Sequence, residues 1–146
     1  FRQIAWFQAE QEIHEKVRAN GRITAEELTE SRRKHMEASI GKAASFSKED
    51  GWAWVVHSHI RYFFYVYSYA YGSLISTALY AKYQSDPKFI EKINYFLSAG
   101  ESMSPYDIFK SMGIDTTKPD FWNIGLKSID QKITELEKEC KKLNLI

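Results

Sequence analysis

Apolar residues recur at three- and four-residue steps along almost the whole chain, as Ile4, Phe7, Ile13 and Val17 do in its first segment. That spacing places side chains on one face of an α-helix, whereas a strand with one buried face alternates at every second position. A chain of 146 residues fits one ordinary domain and can bury a core. Because the pattern contains no internal repeat and no linker, we predict a single all-α module over residues 1–146.

Capping residues predict where the helices begin and end. The pair Asn20-Gly21 is typical of a helix end, and Thr24 with Glu27 three positions later forms a capping box. This box predicts a second helix that runs to about Gly41. Three later helices are predicted because proline is favoured in a first helical turn and glycine after a last one. Their predicted limits are Asp86-Pro87 to Gly100, Ser104-Pro105 to Gly113, and Pro119 onward.

Residues 57–72, which read H-S-H-I-R-Y-F-F-Y-V-Y-S-Y-A-Y-G, form the one ambiguous segment. The later tyrosines alternate with smaller side chains, and this period of two is typical of a strand. A lone strand has no partner in this chain, however, and no turn separates the run from the apolar residues that follow it. We therefore predict one buried helix over residues 62–83, in which Tyr62, Tyr65 and Tyr69 share a face.

Charge and composition exclude several classes of partner. The net charge is +1, which provides no basis for steering the chain toward nucleic acid or an acidic membrane. The longest apolar run, residues 60–79, carries an arginine and several tyrosines and would make a poor membrane span. The single Cys140 permits no internal disulfide and indicates a reducing compartment. We therefore expect a cytoplasmic chain that binds neither nucleic acid nor a membrane.

The histidines do not form a complete metal motif. His14 lies one helical turn after Glu10, but no His-Glu-x-x-His sequence surrounds it. His57 and His59 are two positions apart and have no neighbouring Asp, Glu or Cys, so they make an incomplete zinc site. Spacing alone favours packed or exposed histidines over ligands, and we predict no metal-ligating residue in this chain.

The hydroxyl groups of the tyrosine run distinguish a core from a functional surface. Each buried hydroxyl that lacks a hydrogen-bond partner costs about 1–3 kcal/mol, and a core that needs only volume would use Phe or Leu. Tyrosines that line a cleft can instead donate to a substrate carbonyl or to a developing oxyanion. The hydroxyls favour such a hydrated surface, and a packed aromatic core is the alternative.

The pattern His-x-x-Tyr-x-Phe-Tyr-Val-Tyr-x-Tyr-Ala-x-Gly, which runs here from His59 to Gly72, resembles oligoendopeptidase F and its zinc peptidase relatives, the family of thimet oligopeptidase. The similarity covers essentially the whole chain. It implies the multi-helix, C-terminal segment of a zincin-like metallo-oligopeptidase catalytic domain, which in that family cleaves short peptides, usually in the cytoplasm. It also implies that zinc is held by a His-Glu-x-x-His helix and a later Glu in a missing N-terminal part. Further matching segments are Phe1-Arg-Gln, Phe96 to Ser102 and Gly113-Ile-Asp.

The resemblance also implies roles for individual residues. His59 matches a histidine that contacts the substrate near the scissile bond. Tyr65 and Tyr69 match tyrosines that bind the substrate backbone and stabilise the tetrahedral oxyanion, so these three are the expected catalytic residues. Tyr62 and His57 are expected to bind substrate. The expected function is the C-terminal portion of a zinc-dependent metalloendopeptidase, inactive by itself. The alternative is a non-catalytic helical module that binds peptides or a protein partner.

Four positions depart from the family pattern and leave its histidine and tyrosines intact. They leave the finer substrate preference open. We also expect this segment to expose apolar surface that the missing part would cover, and therefore to self-associate in isolation. The departures are Ser58 in place of proline, Phe63 in place of asparagine, Ser68 in place of glutamine and Tyr71 in place of threonine.

Overall fold

The computed structural model describes residues 2–62 and 64–146, and within them all regular structure is helical. This confirms the predicted all-α class. Short 3₁₀ segments at Gly41–Ala43, Glu49–Val55, Ser58–Arg61 and Pro87–Phe89 connect longer helices. The α-helices of this described part are α1 Arg2–Asn20, α2 Ala25–Ile40, α3 Tyr67–Ser85, α4 Ile90–Ala99, α5 Pro105–Ser111 and α6 Pro119–Lys142.

The chain divides into two compact units, Phe1–Tyr71 and Gly72–Ile146. The first unit contains α1, α2 and the start of α3, and the second contains the rest of α3 with α4 to α6. The expectation of one undivided module stays a prediction. None of the helices among the described residues is long and apolar enough to cross a membrane.

In the first unit α1 packs against α2 around a small core of Ala5, Trp6, Met36 and Val66. The backbones come close because the contacting residues of α1 include alanines. Ala9, for example, is 1% exposed, and its carbonyl oxygen accepts a 3.5 Å hydrogen bond from the Ser31 hydroxyl of α2.

The 3₁₀ helix Glu49–Val55 is held on α2 through Thr29. The Trp54 indole N–H donates to the Thr29 hydroxyl at 2.9 Å. A Cβ at Gly51 would lie 2.8 Å from the Thr29 carbonyl oxygen, so only glycine permits this approach. These contacts fix the segment that leads into the residues of interest, which begin at His57.

The helix ends that rest on local capping are confirmed. α1 ends at Asn20, where Gly21 has the left-handed φ of +75°. Both hydrogen bonds of the capping box are present, with the Thr24 N–H 2.8 Å from Glu27 Oε2 and the Glu27 N–H 3.2 Å from Thr24 Oγ1. The predicted starts of the later helices hold as well, since α5 and α6 begin at prolines and the 3₁₀ turn before α4 does so too.

The prediction of one buried helix over residues 62–83 is wrong in two respects: the helix begins later, and less of it is buried than expected. α3 begins only at Tyr67, because Phe64 has a left-handed φ of +58° that a right-handed helix cannot contain. The buried residues of α3 are Ile75, Ala78 and Leu79, whereas Tyr67, Tyr69, Tyr80 and Tyr83 are exposed. Phe63, which falls inside the predicted helix, lies outside the described residues.

The second unit has its own core, centred on Phe109, which is fully buried. The Phe109 ring lies 5.2 Å from that of Phe96 and 5.4 Å from that of Phe121. Close contact between α6 and α3 depends on Gly125, where an added Cβ would lie 2.8 Å from the Leu74 carbonyl oxygen. Beyond this contact a row of apolar side chains along α6 and at its C-terminal end stays exposed, namely Leu126, Ile133, Leu136 and Leu143.

Candidate functional site

Four aromatic side chains of the first unit form what we call the His/Tyr cluster: His59, Tyr62, Tyr65 and Tyr69. They come from three kinds of local structure. His59 lies in the 3₁₀ helix Ser58–Arg61, Tyr62 and Tyr65 lie in the irregular segment after it, and Tyr69 lies in the first turn of α3. Eleven successive residues therefore supply the whole cluster.

The rings of the His/Tyr cluster adopt the geometries that aromatic pairs prefer. The His59 ring stacks on Tyr65, with centroids 5.2 Å apart and planes 11° from parallel. Tyr69 stands edge-on to both, 5.7 Å from each centroid at interplanar angles of 85° and 86°. Tyr62 meets Tyr65 edge-on at 6.4 Å. Tyr65 is thus the central ring of the cluster.

One hydrogen bond joins the polar atoms of the cluster. The Tyr69 hydroxyl oxygen lies 3.0 Å from His59 Nε2. When Nε2 carries the ring proton, it donates to the Tyr69 oxygen, and the Tyr69 hydroxyl hydrogen is then available to an outside acceptor. In the other tautomer Tyr69 donates to His59. The first arrangement turns Tyr69 into an oriented hydrogen-bond donor.

The exposed fractions of the three tyrosines show whether the cluster is a packed aromatic core or part of the surface. Tyr62 is 62% exposed, Tyr65 46% and Tyr69 42%, so their hydroxyls reach solvent. This agrees with the prediction of a hydrated surface rather than a packed core. Tyr67, which belongs to the same run, is 52% exposed and meets the Phe7 ring edge-on at 6.4 Å.

His57 is held apart from these contacts by the scaffold. Its Nδ1 lies 2.8 Å from the Ala53 carbonyl oxygen, and its ring lies 4.4 Å from Trp6. The Arg32 guanidinium also lies 4.4 Å from the Trp6 ring and donates to the Asp50 carbonyl oxygen. Burial lowers the pKa of Arg32, and the charge of Asp50 opposes that effect. A substrate-binding role for His57 stays a prediction.

A buried glutamate supports the cluster from α1. Glu10 is 1% exposed, and its Oε1 accepts a 2.6 Å hydrogen bond from the Phe64 N–H. The sequence spacing pairs Glu10 with His14 as candidate metal ligands, but the ring of His14 packs 4.5 Å from that of Phe64. A signal was present in the sequence, because Glu10 shares the three- and four-residue spacing of the buried Trp6 and Ile13.

The cluster does not fit a metal centre. Within the part of the chain that the structure describes, no three His, Cys, Asp or Glu side chains are grouped closely enough to hold a metal ion. His59 has aromatic neighbours, and its Nε2 is engaged by the Tyr69 hydroxyl. The arrangement suits hydrogen bonding and stacking to a polar, planar group such as a peptide unit.

Comparison with known proteins gives one family match and several related sequences. The model of Peptidase family M3 matches residues 1–128. Oligopeptidase PepF of Bacillus subtilis (strain 168) is 31% identical over 144 residues, which cover 98% of this chain and 22% of that protein. The chromosomal oligoendopeptidase F of Lactococcus lactis subsp. cremoris is 30% identical over 145 residues, covering 97% and 24%.

A more distant match agrees with these two. Group B oligopeptidase PepB of Streptococcus agalactiae serotype III (strain NEM316) is 26% identical over 143 residues, covering 94% of this chain and 23% of that protein. The chain therefore spans about a quarter of the length of the curated relatives it matches. No solved structure gives a significant match.

Proposed function

Because this chain belongs to peptidase family M3, we propose that it is the C-terminal part of the catalytic domain of a zinc-dependent metalloendopeptidase that hydrolyses short peptides. The names of its relatives, oligopeptidase and oligoendopeptidase F, support peptides as the substrate class. A cytoplasmic location belongs to the same proposal. The His/Tyr cluster is the part of the substrate-binding and catalytic surface that this chain supplies.

The hydrogen bond between the Tyr69 hydroxyl and His59 Nε2 is the observation that carries the proposal. With the proton on His59 Nε2, the Tyr69 hydroxyl donates to the carbonyl oxygen of the scissile peptide bond. Negative charge develops on that oxygen as the carbonyl carbon becomes tetrahedral, so the donation strengthens on the way to the transition state. His59 keeps the hydroxyl oriented and lies near the same bond.

Tyr65 and Tyr62 are proposed to bind the peptide backbone beside that bond. Their exposed rings offer flat apolar faces, and their hydroxyls can hydrogen-bond to backbone N–H and C=O groups. Such contacts do not depend on substrate side chains. They therefore suit an enzyme that accepts many short peptides, and they add to binding more than to the chemical step.

The zinc ion of this proposal would activate the attacking water. As the family resemblance implies, we expect its ligands in another part of the full-length protein. We therefore expect this chain by itself to hydrolyse no peptide. Its natural partners are a short peptide and the remainder of the catalytic domain.

Substitution of Tyr69 in the full-length protein that contains this chain tests the proposal. Tyr69→Phe removes one hydroxyl and keeps the ring, so we expect kcat to fall by about 10²-fold or more, as on loss of an oxyanion donor. KM should stay within about three-fold, because the lost bond acts chiefly in the transition state. An internally quenched peptide substrate provides both constants.

Tyr80→Phe is the matched control, because Tyr80 is an exposed tyrosine of the same helix outside the cluster. It should leave both constants unchanged. An unaltered kcat in Tyr69→Phe would return Tyr69 to a structural role. A full-length protein that binds peptides without hydrolysing them would instead favour the non-catalytic binding module.

A further inference from the structure

We propose that Glu10 is a positioning residue for the His/Tyr cluster: its buried carboxyl group holds the left-handed backbone at Phe64, and this turn sets Tyr65 against His59. The inference rests on the proposed function, because it assigns to Glu10 an effect on turnover. Glu10 acts through other residues and is not itself a catalytic residue.

The first step is the hydrogen bond itself. Glu10 Oε1 accepts from the Phe64 N–H at 2.6 Å, and the two residues are 54 positions apart in the sequence. The Glu10 side chain is 1% exposed, so water does not compete for this bond. A bond to a carboxyl group in a dry environment is among the stronger hydrogen bonds that a backbone N–H can make. It ties the turn at Phe64 firmly to α1.

The second step is the backbone conformation that this bond maintains. A φ of +58° is uncommon for a bulky aromatic residue and persists only where the surroundings determine it. At Phe64 the surroundings come from one face of α1. Glu10 binds the N–H, while the Phe64 ring lies 6.0 Å from that of Phe7 and 4.5 Å from that of His14.

The third step connects this turn to the cluster. His59 and Tyr65 are six positions apart. In an uninterrupted helix, residues at that separation would lie about 9 Å apart along the axis and on different sides. In the structure their rings are stacked, with centroids 5.2 Å apart. The left-handed residue lies directly before Tyr65, between the 3₁₀ helix Ser58–Arg61 and α3, and this non-helical connection allows the stacking. α3 then begins at Tyr67, with Tyr69 in its first turn.

The second carboxyl oxygen of Glu10, Oε2, indicates that a glutamate at this position does not maximise the stability of the fold. Its Oε2 is buried and has no hydrogen-bond partner among the described residues. A buried acceptor without a partner destabilises a fold, and an apolar residue at this position of α1 would avoid that loss. The geometry therefore points to the Phe64 N–H as the reason for a glutamate here.

The test uses the full-length protein with Glu10→Gln, which keeps an acceptor oxygen, and Glu10→Leu, which keeps the approximate volume without one. We expect Glu10→Leu to lower kcat by about ten-fold or more, since small displacements of reacting groups have effects of this size. Glu10→Gln should remain within about three-fold of the wild type, and KM should change little in either variant.

Ile13→Ala is the matched control for a purely structural effect. Ile13 is buried on the same helix, one turn beyond Glu10, and is not a member of the His/Tyr cluster. This variant should melt at a lower temperature and keep its kcat when folded enzyme is compared. An unchanged kcat in Glu10→Leu, or an equal loss of kcat in Ile13→Ala, would overturn the inference.

Hydrogen–deuterium exchange measured by mass spectrometry provides a readout that needs no peptide hydrolysis. Glu10→Leu should raise deuterium uptake in a peptide covering residues 60–67, which contains the Phe64 amide, and Ile13→Ala should not raise it selectively there. Unchanged uptake in that peptide would show that Glu10 does not hold the turn at Phe64, whether or not the protein is a peptidase. If uptake rises and the wild-type protein hydrolyses no peptide, Glu10 does hold the turn at Phe64 but the proposed function is wrong.

Discussion

Tyr65 and Tyr69 lie beside the same histidine, yet the two residues offer it different groups. Tyr65 presents its ring face to His59 with planes 11° from parallel, whereas Tyr69 presents its hydroxyl at 3.0 Å. The ring contact fixes where the imidazole lies, and the hydroxyl contact fixes which nitrogen is engaged. The resemblance to a known family identifies both tyrosines as candidates, and the structure adds that Tyr65 meets the histidine with its ring and Tyr69 with its hydroxyl.

Gly125 shows how a single missing methyl group determines helix packing. An added Cβ would lie 2.8 Å from the Leu74 carbonyl oxygen, and a backbone carbonyl cannot rotate away. Alanine is favoured over glycine in a helix by about 1 kcal/mol, but overpacking costs about 1–3 kcal/mol. We therefore expect Gly125→Ala to lower the free energy of unfolding, as measured by urea denaturation of this chain.

Gly72→Ala is the control for that prediction. Gly72 lies in α3, and an added Cβ would meet no heavy atom of the described residues within 4 Å. Helix propensity then acts alone, and the free energy of unfolding should rise by up to about 1 kcal/mol. Equal stabilisation by both substitutions would mean that α6 and α3 do not approach each other at Gly125.

Among single residues, those with local causes were predictable. Gly21 and the Thr24–Glu27 box act within a few positions of the helix ends that they define. Glu10 was not predictable in its role, because its partner is the backbone of a residue 54 positions away. The tyrosine hydroxyls correctly indicated a surface, since exposure follows from the cost of burying each group without a partner.

At the scale of elements, Glu12 links α1 to α2. It lies 2.8 Å from Lys16 on its own helix, and 3.0 Å from Lys34 and 2.9 Å from His35 on α2. The hydrogen bond from Lys16, followed by those from Lys34 and His35, lowers the pKa of Glu12 from 4.5 to about 2 against the opposing effect of burial. The folded state therefore favours the ionised form.

This shift predicts how stability depends on pH. Because the folded pKa lies below the unfolded one, the contribution of Glu12 is complete above about pH 4.5 and is lost as the pH falls toward 2. Glu12→Gln should lower the free energy of unfolding near neutral pH by about 1 kcal/mol, after allowance for solvent screening. The difference from the wild type should shrink between pH 4.5 and 2 in chemical denaturation series.

Glu15→Gln is the control for the pH prediction, because Glu15 is an exposed residue of the same helix. Its effect on the free energy of unfolding should be small at every pH. A constant difference between Glu12→Gln and the wild type across this pH range would show that the carboxylate does not link the two helices.

Element boundaries illustrate the limit of sequence reasoning in this chain. α2, α5 and α6 begin where their capping residues or prolines predict, because those interactions are local. The start of α3 was misplaced by five residues, at 62 instead of Tyr67. Helix propensity and periodicity cannot reveal that a buried side chain on α1 stabilises a left-handed residue in this segment.

At the scale of the whole molecule, the exposed apolar row on α6 predicts self-association. Leu126, Ile133, Leu136 and Leu143 recur at seven- and three-residue steps and are 41% to 67% exposed. Such a row on a helix favours pairing with another apolar surface. We expect this chain in isolation to form oligomers, which size-exclusion chromatography with light scattering at rising concentration would detect.

Two lysine substitutions distinguish self-association through the apolar row from a general effect of added charge. Leu136→Lys places a charge within the row and should shift the chain toward the monomer. Thr134→Lys adds the same charge on α6 away from the row and should change the average mass little. A chain that stays monomeric at every concentration would contradict the prediction.

Fold class and family were predictable at this scale because both depend on patterns spread over the chain. Helical spacing recurs from Ile4 to Leu143, and a family model matches residues 1–128, in agreement with the resemblance. The division at Tyr71 was not predictable. It falls inside a continuous helix, where neither composition nor turn residues mark a boundary.

The hydrogen bond between Glu10 and Phe64 also bears on how such a site can change in evolution. A sequence search that compares only residues 57–72 would report an intact His/Tyr cluster even in a protein that has leucine at position 10. Transfer of those sixteen residues into another helical protein would carry over the rings but not their arrangement. Two segments must therefore be retained together: residues 57–72, which bear the side chains, and the part of α1 around Glu10, which holds the turn.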